Sequence, residues 1–420
     1  MTAPVFTLIF LTFVALSFAF SSLLTLRHIA HIRAHRASVP AEFTESITLD
    51  AHQKAADYTI EKNRLGLIES VFDLLLLLAI TLGGGMWLLH SIAATWFGGP
   101  YALGLAIFVG LMIASTLVST PFNLYRTFVI EQQFGFNKTT WKLYLIDAIK
   151  GLALAAAIGV PLLLITFWLM EKMGGLWWLY VWLVWLLFSL AMILIYPTYI
   201  APLFNKFLPL ADIALKERIE SLLTRCGFTS SGLFVMDGSK RSSHGNAYFT
   251  GLGKTKRIVF FDTLIARLSP TEIEAVLAHE LGHFKRKHIT KMIVGQFALA
   301  FVILGLMGWV IDKPWFYEGL GFPLNGAVPP VAISLALFFM VLPVFTFWLT
   351  PLASLISRKH EFEADAYAAQ QTQAADLITA LVKLYRDNAS TLTPDPLHSA
   401  VYDSHPPASV RIAHLKAMQI

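Results

Sequence analysis

The chain has 420 residues, of which 56% are hydrophobic and only 14% are charged, whereas an ordinary soluble domain carries about a quarter charged residues. This composition excludes a typical water-soluble fold, and the net charge of +5 needs no nucleic-acid partner, because positive loops beside a membrane account for it. The single cysteine, Cys226, excludes an intrachain disulfide and a cysteine-rich metal site, and we interpret it as a packing residue.

Seven stretches are apolar and long enough to cross a bilayer as helices, which takes roughly 20 residues each. They are residues 4–26, 67–90, 101–124, 148–170, 176–197, 289–311 and 328–350. The first has no positive charge before it and is about twice as long as the core of a secretory signal, so we interpret it as a retained helix. The predicted parts are a membrane region (1–197), a catalytic block (198–288), a hairpin of two spans (289–350) and a second catalytic block (351–420).

Lysine and arginine are concentrated in the connections on one side of these spans, and each opposite connection carries at most one. Cytoplasmic loops collect positive charge. We therefore expect the N-terminus outside, with both catalytic blocks and the C-terminus on the cytosolic side. The chain ends without a retrieval signal for the endoplasmic reticulum, which favours a bacterial inner membrane.

Local patterns predict the elements between the spans. Helical spacing indicates helices, and short runs rich in β-branched and aromatic residues indicate strands. The predicted helices are Phe43–Arg64 and Leu210–Cys226, and the predicted strands are Leu233–Met236, Asn246–Thr250 and Arg257–Phe261, with a turn at Gly251–Lys254. Ser269, Pro270 and Glu272 form the start signal of a further helix.

That further helix carries the sequence His-Glu-Leu-Gly-His at positions 279–283. Residues four apart lie on one helix face, so His279 and His283 can present both imidazoles to one metal ion. Glu280 lies beside them and is the candidate general base. The pattern therefore predicts a zinc peptidase site.

A catalytic zinc ion needs a third protein ligand and one open position. The candidates share a predicted helix after the last span: His360, Glu361, Glu363 and Asp365. The residues alone leave the choice among them open.

Several segments together resemble the integral-membrane CAAX prenyl protease type I family. These are 135–138 (GFNK), 200–207 (IAPLFNKF), 242–249 (SSHGNAYF), 257–264 (RIVFFDTL), 279–283 (HELGH), 361–368 (EFEADAYA) and 404–407 (SHPP). The resemblance extends over nearly the whole chain. It implies a mainly α, polytopic membrane protein whose seven transmembrane helices form a chamber, with a gluzincin-like zinc domain that carries a small β-sheet.

The resemblance also implies site residues and a cofactor, one Zn²⁺ per chain. Glu361 becomes the third ligand beside His279 and His283, and His405 a donor to the reacting carbonyl oxygen. Asp365, on the same face as Glu361, is interpreted as an acceptor for a ligand histidine N–H, and Arg411 as the partner of an acid on that helix. Glu363 and His360 are interpreted as a solvated face, and His244 and His288 as structural or surface residues.

The strand that begins at Asn246 is a candidate substrate platform, with Asn246, Ala247 and Tyr248 as binding residues. An extended peptide can add to a free sheet edge as a further strand. The alternative role of Asn246 is to cap a turn.

The favoured function is a membrane zinc endopeptidase, similar to the CAAX prenyl proteases that remove C-terminal residues of prenylated proteins. Its expected partners are a peptide or protein substrate, lipidated or not, and the lipid bilayer. One alternative is an HtpX-like quality-control protease, although such chains have fewer spans. Another is a zinc-binding transporter or receptor, but the ionisable cluster lies in the polar blocks rather than in the spans. A site-two type of protease would carry the zinc motif inside an apolar span, and residues 271–287 are too charged for that. The natural substrate and the oligomeric state stay open.

Overall fold

The computed structural model describes residues 1–250 and 255–418, so the predicted turn Gly251–Lys254 lies outside the described residues. Long helices dominate the first half of the chain. They are α1 (Ala3–His35), α2 (Leu49–Ile80), α3 (Gly85–Trp96), α4 (Pro100–Tyr125), α5 (Glu131–Gln133), α6 (Trp141–Lys172), α7 (Trp177–Ile195) and α8 (Ala201–Phe204), with π-helical turns at Arg126–Ile130 and Tyr196–Ile200.

The second half mixes four strands with helices. In chain order they are β1 (Phe207–Pro209), α9 (Ile213–Cys226), β2 (Thr229–Met236), β3 (Ala247–Thr250), β4 (Thr255–Phe261), α10 (Asp262–Ile265), α11 (Pro270–Lys285), α12 (His288–Val310), α13 (Pro314–Glu318), α14 (Val331–Thr346), α15 (Thr350–Gln371), α16 (Ala374–Asp387), α17 (Pro396–Tyr402) and α18 (Ala408–Ala417).

The described residues contain six helices that are long and apolar enough to cross a membrane, and α2 with α3 makes a seventh if this bent pair is one span. The pair bends by 60° at a run of three glycines. Gly84 has a positive φ of 76°, and a Cβ on Gly83 would lie 2.7 Å from the carbonyl oxygen of Ala79. Glycine is the residue that tolerates both conditions.

The spans pack tightly at one end, which we call the packed end. It contains the N-terminal parts of α1, α4, α7 and α14 and the C-terminal parts of α6 and α12. Its core includes fully or almost fully buried side chains such as Phe10, Ile107, Phe167, Met307 and Tyr317. Short α13 fills the space between these helix ends, where Tyr317 bonds Ser334 of α14 at 2.7 Å.

Toward the other end, which carries the catalytic blocks, the spans part. No residue is buried in 108–129, 141–166, 182–199 or 289–303. A close-packed bundle would bury an apolar stripe along each helix. Asp73, the seventh residue of the second predicted span, is exposed on α2, and a charged residue within a span typically faces the bundle interior or a water-filled cavity rather than lipid. The parted helices therefore have the arrangement that a membrane chamber requires.

The four strands form one mixed sheet in the order β1-β2-β4-β3. β2 and β4 pair in parallel, while β1 and β3 are antiparallel edge strands. Helix α9 begins after its N-cap Asp212 and ends at Gly227, whose φ is 80°. The sheet, α9, α11 and α16 share one hydrophobic core, which includes Cys226, as predicted.

Two of the elements predicted between the spans begin more than three residues from their predicted start. The segment Phe43–Arg64 was expected as a separate polar helix, but α1 continues to His35 and α2 begins only at Leu49, after a 3₁₀ turn. The polar residues of this region form the ends of the two long helices α1 and α2. The spacing of apolar residues does not show where such helices end. Strand β2 begins at Thr229, four residues before the predicted start, because its first residues are polar and lack the strand signal.

Candidate metal centre

Helix α11 begins with a complete capping box. The Ser269 side chain accepts from the backbone N–H of Glu272, and the Glu272 carboxylate accepts from the backbone N–H of Ser269. One face of α11 is buried against the sheet core, which fixes its rotation about its axis. His279 and His283 then project together toward α15.

Gly282, inside the motif, lets α15 approach closely. A Cβ at this position would lie 3.0 Å from Ala364 Cα and 3.1 Å from the Ala364 carbonyl oxygen. Both atoms belong to the backbone of α15, so a larger residue would push that helix away. Because Gly282 has no side chain, α15 packs close to α11. Glu361, one turn before Ala364 on α15, therefore lies within reach of the two histidines.

His279, His283 and Glu361 form the one group in the described residues that could hold a metal ion, with donor atoms within 4.8 Å of one another. The two histidine Nε2 atoms lie 3.2 Å apart, and Glu361 Oε1 lies 3.3 Å from His283 Nε2. Glu361 Oε2 is buried without a hydrogen-bond partner. Two facing ring nitrogens and an unsatisfied carboxylate oxygen fit the donor set of a zinc ion.

Asp365 and Arg411 lie behind His279. Asp365 Oδ1 is 2.8 Å from His279 Nδ1, and Arg411 bonds both carboxylate oxygens of Asp365 from a buried position. Burial alone would raise the pKa of Asp365, but the hydrogen bonds from His279 and Arg411 outweigh it and lower that pKa. Arg411 also lies 3.5 Å from Glu361, so one guanidinium links two acids of α15.

The electrostatics of the cluster favour a positive charge at its centre. Burial alone lowers the pKa of His279, but its contact with the Asp365 carboxylate and the nearby Glu361 carboxylate outweigh burial and raise that pKa to about 9. Burial opposes ionisation of Glu361 too, yet contacts with His279 and His283 hold its pKa well below the ordinary value. The carboxylates thus attract a cation, whether a proton or a metal ion.

Glu280 and His405 complete the group around these residues. Glu280 is half-buried and forms no hydrogen bond or ion pair with another described residue. His405 Nε2 lies 3.4 Å from Glu361 Oε1, and the His405 side chain is 62% exposed. The loop before α18 therefore brings a histidine to the open side of the cluster.

Three residues that were expected to be structural or solvated lie directly behind His283. His288 is buried, with one ring nitrogen 3.1 Å from His283 Nδ1 and the other 2.9 Å from Glu363. The His360 ring stacks on His288 with centroids 4.0 Å apart. Glu363 and His360 both contact His288 and both stay partly exposed, with 34% of the Glu363 side chain accessible. The sequence signal that could have pointed to this contact is His288 itself, five residues after His283.

The predicted substrate residues lie at the start of β3. Asn246 is exposed; its side-chain oxygen accepts from the backbone N–H of Ala247 at 2.8 Å, while its amide nitrogen has no partner among the described residues. Ala247 packs toward the sheet core, and Tyr248 lies on the opposite face, half-buried near Phe261. His244 is structural, since its ring stacks on Phe136 and contacts Asn388.

Comparison with known proteins assigns both halves of the chain. Residues 28–206 match the family model described as CAAX prenyl protease N-terminal, five membrane helices. Residues 209–419 match peptidase family M48. The boundary between the two matches coincides with the start of β1, where the membrane helices give way to the sheet.

Proteins that align with this chain over nearly its whole length support the same assignment. CAAX prenyl protease 1 of Saccharomyces cerevisiae is 38% identical over 95% of this chain and 92% of its own, and the human homologue is 32% identical over 91% and 89%. The crystal structure of S. mikatae Ste24p superposes with a TM-score of 0.91 at 35% identity, covering 98% of this chain and 99% of that one. The chain therefore belongs to the integral-membrane CAAX prenyl protease type I family, the membrane metallopeptidases of peptidase family M48.

Proposed function

We propose that the protein is a zinc endopeptidase that cleaves near the C-terminus of lipidated protein substrates, which bind as an extended strand along β3. The observation that carries the proposal is the convergence of His279, His283 and Glu361 on one point, with the unpaired Glu280 beside it. The names of the relatives, CAAX prenyl proteases, support the substrate class.

His279, His283 and Glu361 are the residues that would hold the zinc ion. When bound, zinc supplies Lewis acidity, which acidifies an attacking water and polarises the scissile carbonyl. Glu280 takes the proton of that water and passes it to the leaving amine. His405, on the open side of the cluster, donates a hydrogen bond to the carbonyl oxygen as negative charge develops there.

Strand β3 is suited to hold the substrate backbone. Phe261 N–H bonds the Asn246 carbonyl at 2.9 Å, which in an antiparallel pair turns the peptide groups of Ala247 and Phe249 toward the free edge. The Ala247 N–H is already bonded to the Asn246 side chain. The groups left for a peptide are the Ala247 carbonyl, both polar groups of Phe249 and the Asn246 amide.

The parted spans offer room for an attached lipid. Some span segments contain no buried residue, and large apolar side chains on them, such as Leu117, Ile149 and Leu187, are more than half exposed. Apolar walls around a zinc site would accept an isoprenoid chain while the peptide lies on β3. A farnesylated CAAX peptide should therefore be cleaved faster than its unprenylated analogue.

We propose that the catalytic blocks face the cytosol and the N-terminus lies outside, because the connections at the catalytic end carry most of the lysine and arginine. The earlier preference for a bacterial inner membrane has no support from the relatives named above, which are eukaryotic.

The first prediction tests the roles at the metal centre. Glu280→Gln should abolish peptide cleavage and keep one zinc ion per chain, because Glu280 acts as a base and not as a ligand. Glu361→Ala should lose zinc as well as activity. Zinc is measured by atomic emission on purified protein, and cleavage by mass spectrometry of the farnesylated peptide and its unprenylated analogue.

Residual turnover in Glu280→Gln at the wild-type rate would disprove the assigned mechanism. Retention of zinc by Glu361→Ala would place the third ligand elsewhere. Equal cleavage of the two peptides would leave the peptidase in place and remove the preference for lipidated substrates.

A further inference from the structure

His288 is the first residue of α12, directly after Lys287, whose φ of 57° turns the chain out of α11. This reversal directs the His288 side chain back beneath the metal cluster. The ring is buried, at 3% exposure, although the helix that carries it continues into the membrane. Each ring nitrogen of a buried histidine costs desolvation energy unless it finds a hydrogen-bond partner.

Both partners are present. His288 Nδ1 lies 3.1 Å from His283 Nδ1, and His288 Nε2 lies 2.9 Å from Glu363 Oε2. The His360 ring stacks on the His288 ring with an interplanar angle of 10°, which fixes its orientation.

The direction of each hydrogen bond follows from the use of His283 Nε2. That nitrogen faces His279 and Glu361, so it is the atom that would bind a metal ion. A neutral imidazole that binds metal through Nε2 carries its proton on Nδ1. His283 Nδ1 therefore donates, His288 Nδ1 accepts, and the proton of His288 on Nε2 is donated to Glu363. One set of tautomers satisfies the whole chain of bonds.

We propose that His288 is a positioning residue of the zinc site, which fixes the tautomer and ring orientation of His283 and is itself anchored by Glu363. The inference rests on the proposed zinc binding. The two ligand histidines would then be held differently: His279 by the carboxylate of Asp365 directly, at 2.8 Å, and His283 through an intervening histidine. Removing such a partner of a ligand histidine typically weakens metal binding 10–100-fold.

Three variants separate this role from simple packing. His288→Phe keeps a ring that can stack on His360 but removes both hydrogen bonds. His288→Gln restores them, because its amide oxygen can accept from His283 and its NH₂ group can donate to Glu363. His360→Phe keeps the stacked ring while leaving the bonds to His283 and Glu363 intact, and serves as the matched control.

The zinc dissociation constant of the full-length purified protein is measured by competition with a fluorescent chelator, and melting temperatures are recorded for the zinc-free forms. We expect roughly 10–100-fold weaker zinc binding in His288→Phe, recovery to within a few-fold of wild type in His288→Gln, and no change in His360→Phe. The absorption spectrum of the cobalt-substituted protein should change in His288→Phe and return toward wild type in His288→Gln.

Wild-type zinc affinity in His288→Phe, or equal loss in His288→Phe and His288→Gln, would overturn the proposal. If His288→Phe does not fold, Glu363→Leu decides instead: its side chain is about one-third exposed, so folding should persist, and unchanged zinc affinity would overturn the anchored arrangement. Failure of the wild-type protein to bind zinc would be a different result, because it would disprove the proposed function itself.

Discussion

At the scale of single residues, Asp365 and Arg411 support the candidate ligand His279 from outside the group of residues that could hold a metal ion. Arg411 is 6% exposed and its charge is balanced by Asp365 and by the more distant Glu361. Removing one partner of a buried ion pair leaves the other charge uncompensated, which typically costs about 3–5 kcal/mol.

The second prediction follows from this pair. Asp365→Asn should lower the melting temperature clearly and weaken zinc binding about 10–100-fold, because both Arg411 and His279 lose their carboxylate partner. Asp57→Asn breaks the Arg36–Asp57 pair, in which both side chains are well exposed, and should change neither quantity. Similar melting temperatures for the two variants would contradict the structural role of the buried pair.

His279 and His283 were accessible from the sequence because helical periodicity fixes which residues share a face, whereas Glu361 was singled out only by the resemblance to a known family. The residues that hold these candidate ligands in place could be predicted from the sequence only in part. His288 reaches His283 across a sharp turn, and Glu363 reaches His288 from α15, which is 75 residues away in sequence. Contacts of this kind depend on how two helices pack, and spacing along one helix does not contain that information.

At the scale of elements, the contact between α11 and α15 determines whether the third ligand arrives. The third prediction is that Gly282→Ala weakens zinc binding and destabilises the protein by about 1–3 kcal/mol, because the added methyl group meets the α15 backbone. Zinc affinity and melting temperature are the measurements. Gly295→Ala on α12, where a Cβ meets nothing within 4 Å, is the control and should leave zinc affinity unchanged.

The fourth prediction concerns β3 as a substrate platform. N-methylation of single amides near the cut site should slow cleavage at the position that pairs with the Ala247 or Phe249 carbonyl, because a methylated amide cannot donate. Asn246→Ala should reduce turnover with the melting temperature unchanged if the exposed amide binds substrate. A joint fall in stability and activity would favour a turn-capping role, and cleavage insensitive to every methylation would contradict strand addition.

The sequence predicted the zinc-motif helix and two of the four strands closely because local signals coincide there: a capping box, and runs of β-branched and aromatic residues. It missed β1, whose three residues Phe207–Pro209 include a proline and gain strand geometry only by pairing with β2. Such an edge strand is created by its neighbour, so no local pattern could reveal it.

At the scale of the whole molecule, the spans connect a packed end to a catalytic end, and the proposed orientation can be tested directly. The fifth prediction uses Val328→Cys at the packed end, where the residue is 90% exposed, and Lys240→Cys at the catalytic end. An impermeant thiol reagent should label Val328→Cys on intact cells and Lys240→Cys only after permeabilisation. Native Cys226 is buried and should give little background. The reverse labelling would invert the orientation.

Hydropathy alone located the six long apolar helices and the bent pair α2–α3, but it could not show that they pack at one end and part at the other. Helix α7 is apolar almost throughout, so hydropathy does not separate its packed half from its other half. Burial distinguishes them: residues 108–129 of α4 and the following turn contain no buried position, whereas Gly104 and Ile107 are buried.

The packed end also has an electrical consequence for the membrane. If water fills the space between the parted spans, that part of the protein carries little of the voltage across the membrane. The voltage would then fall mainly over the packed end, across the aromatic core around Phe10, Phe167 and Tyr317. In that case a cavity in this core would raise the ion permeability of the membrane as well as weaken folding.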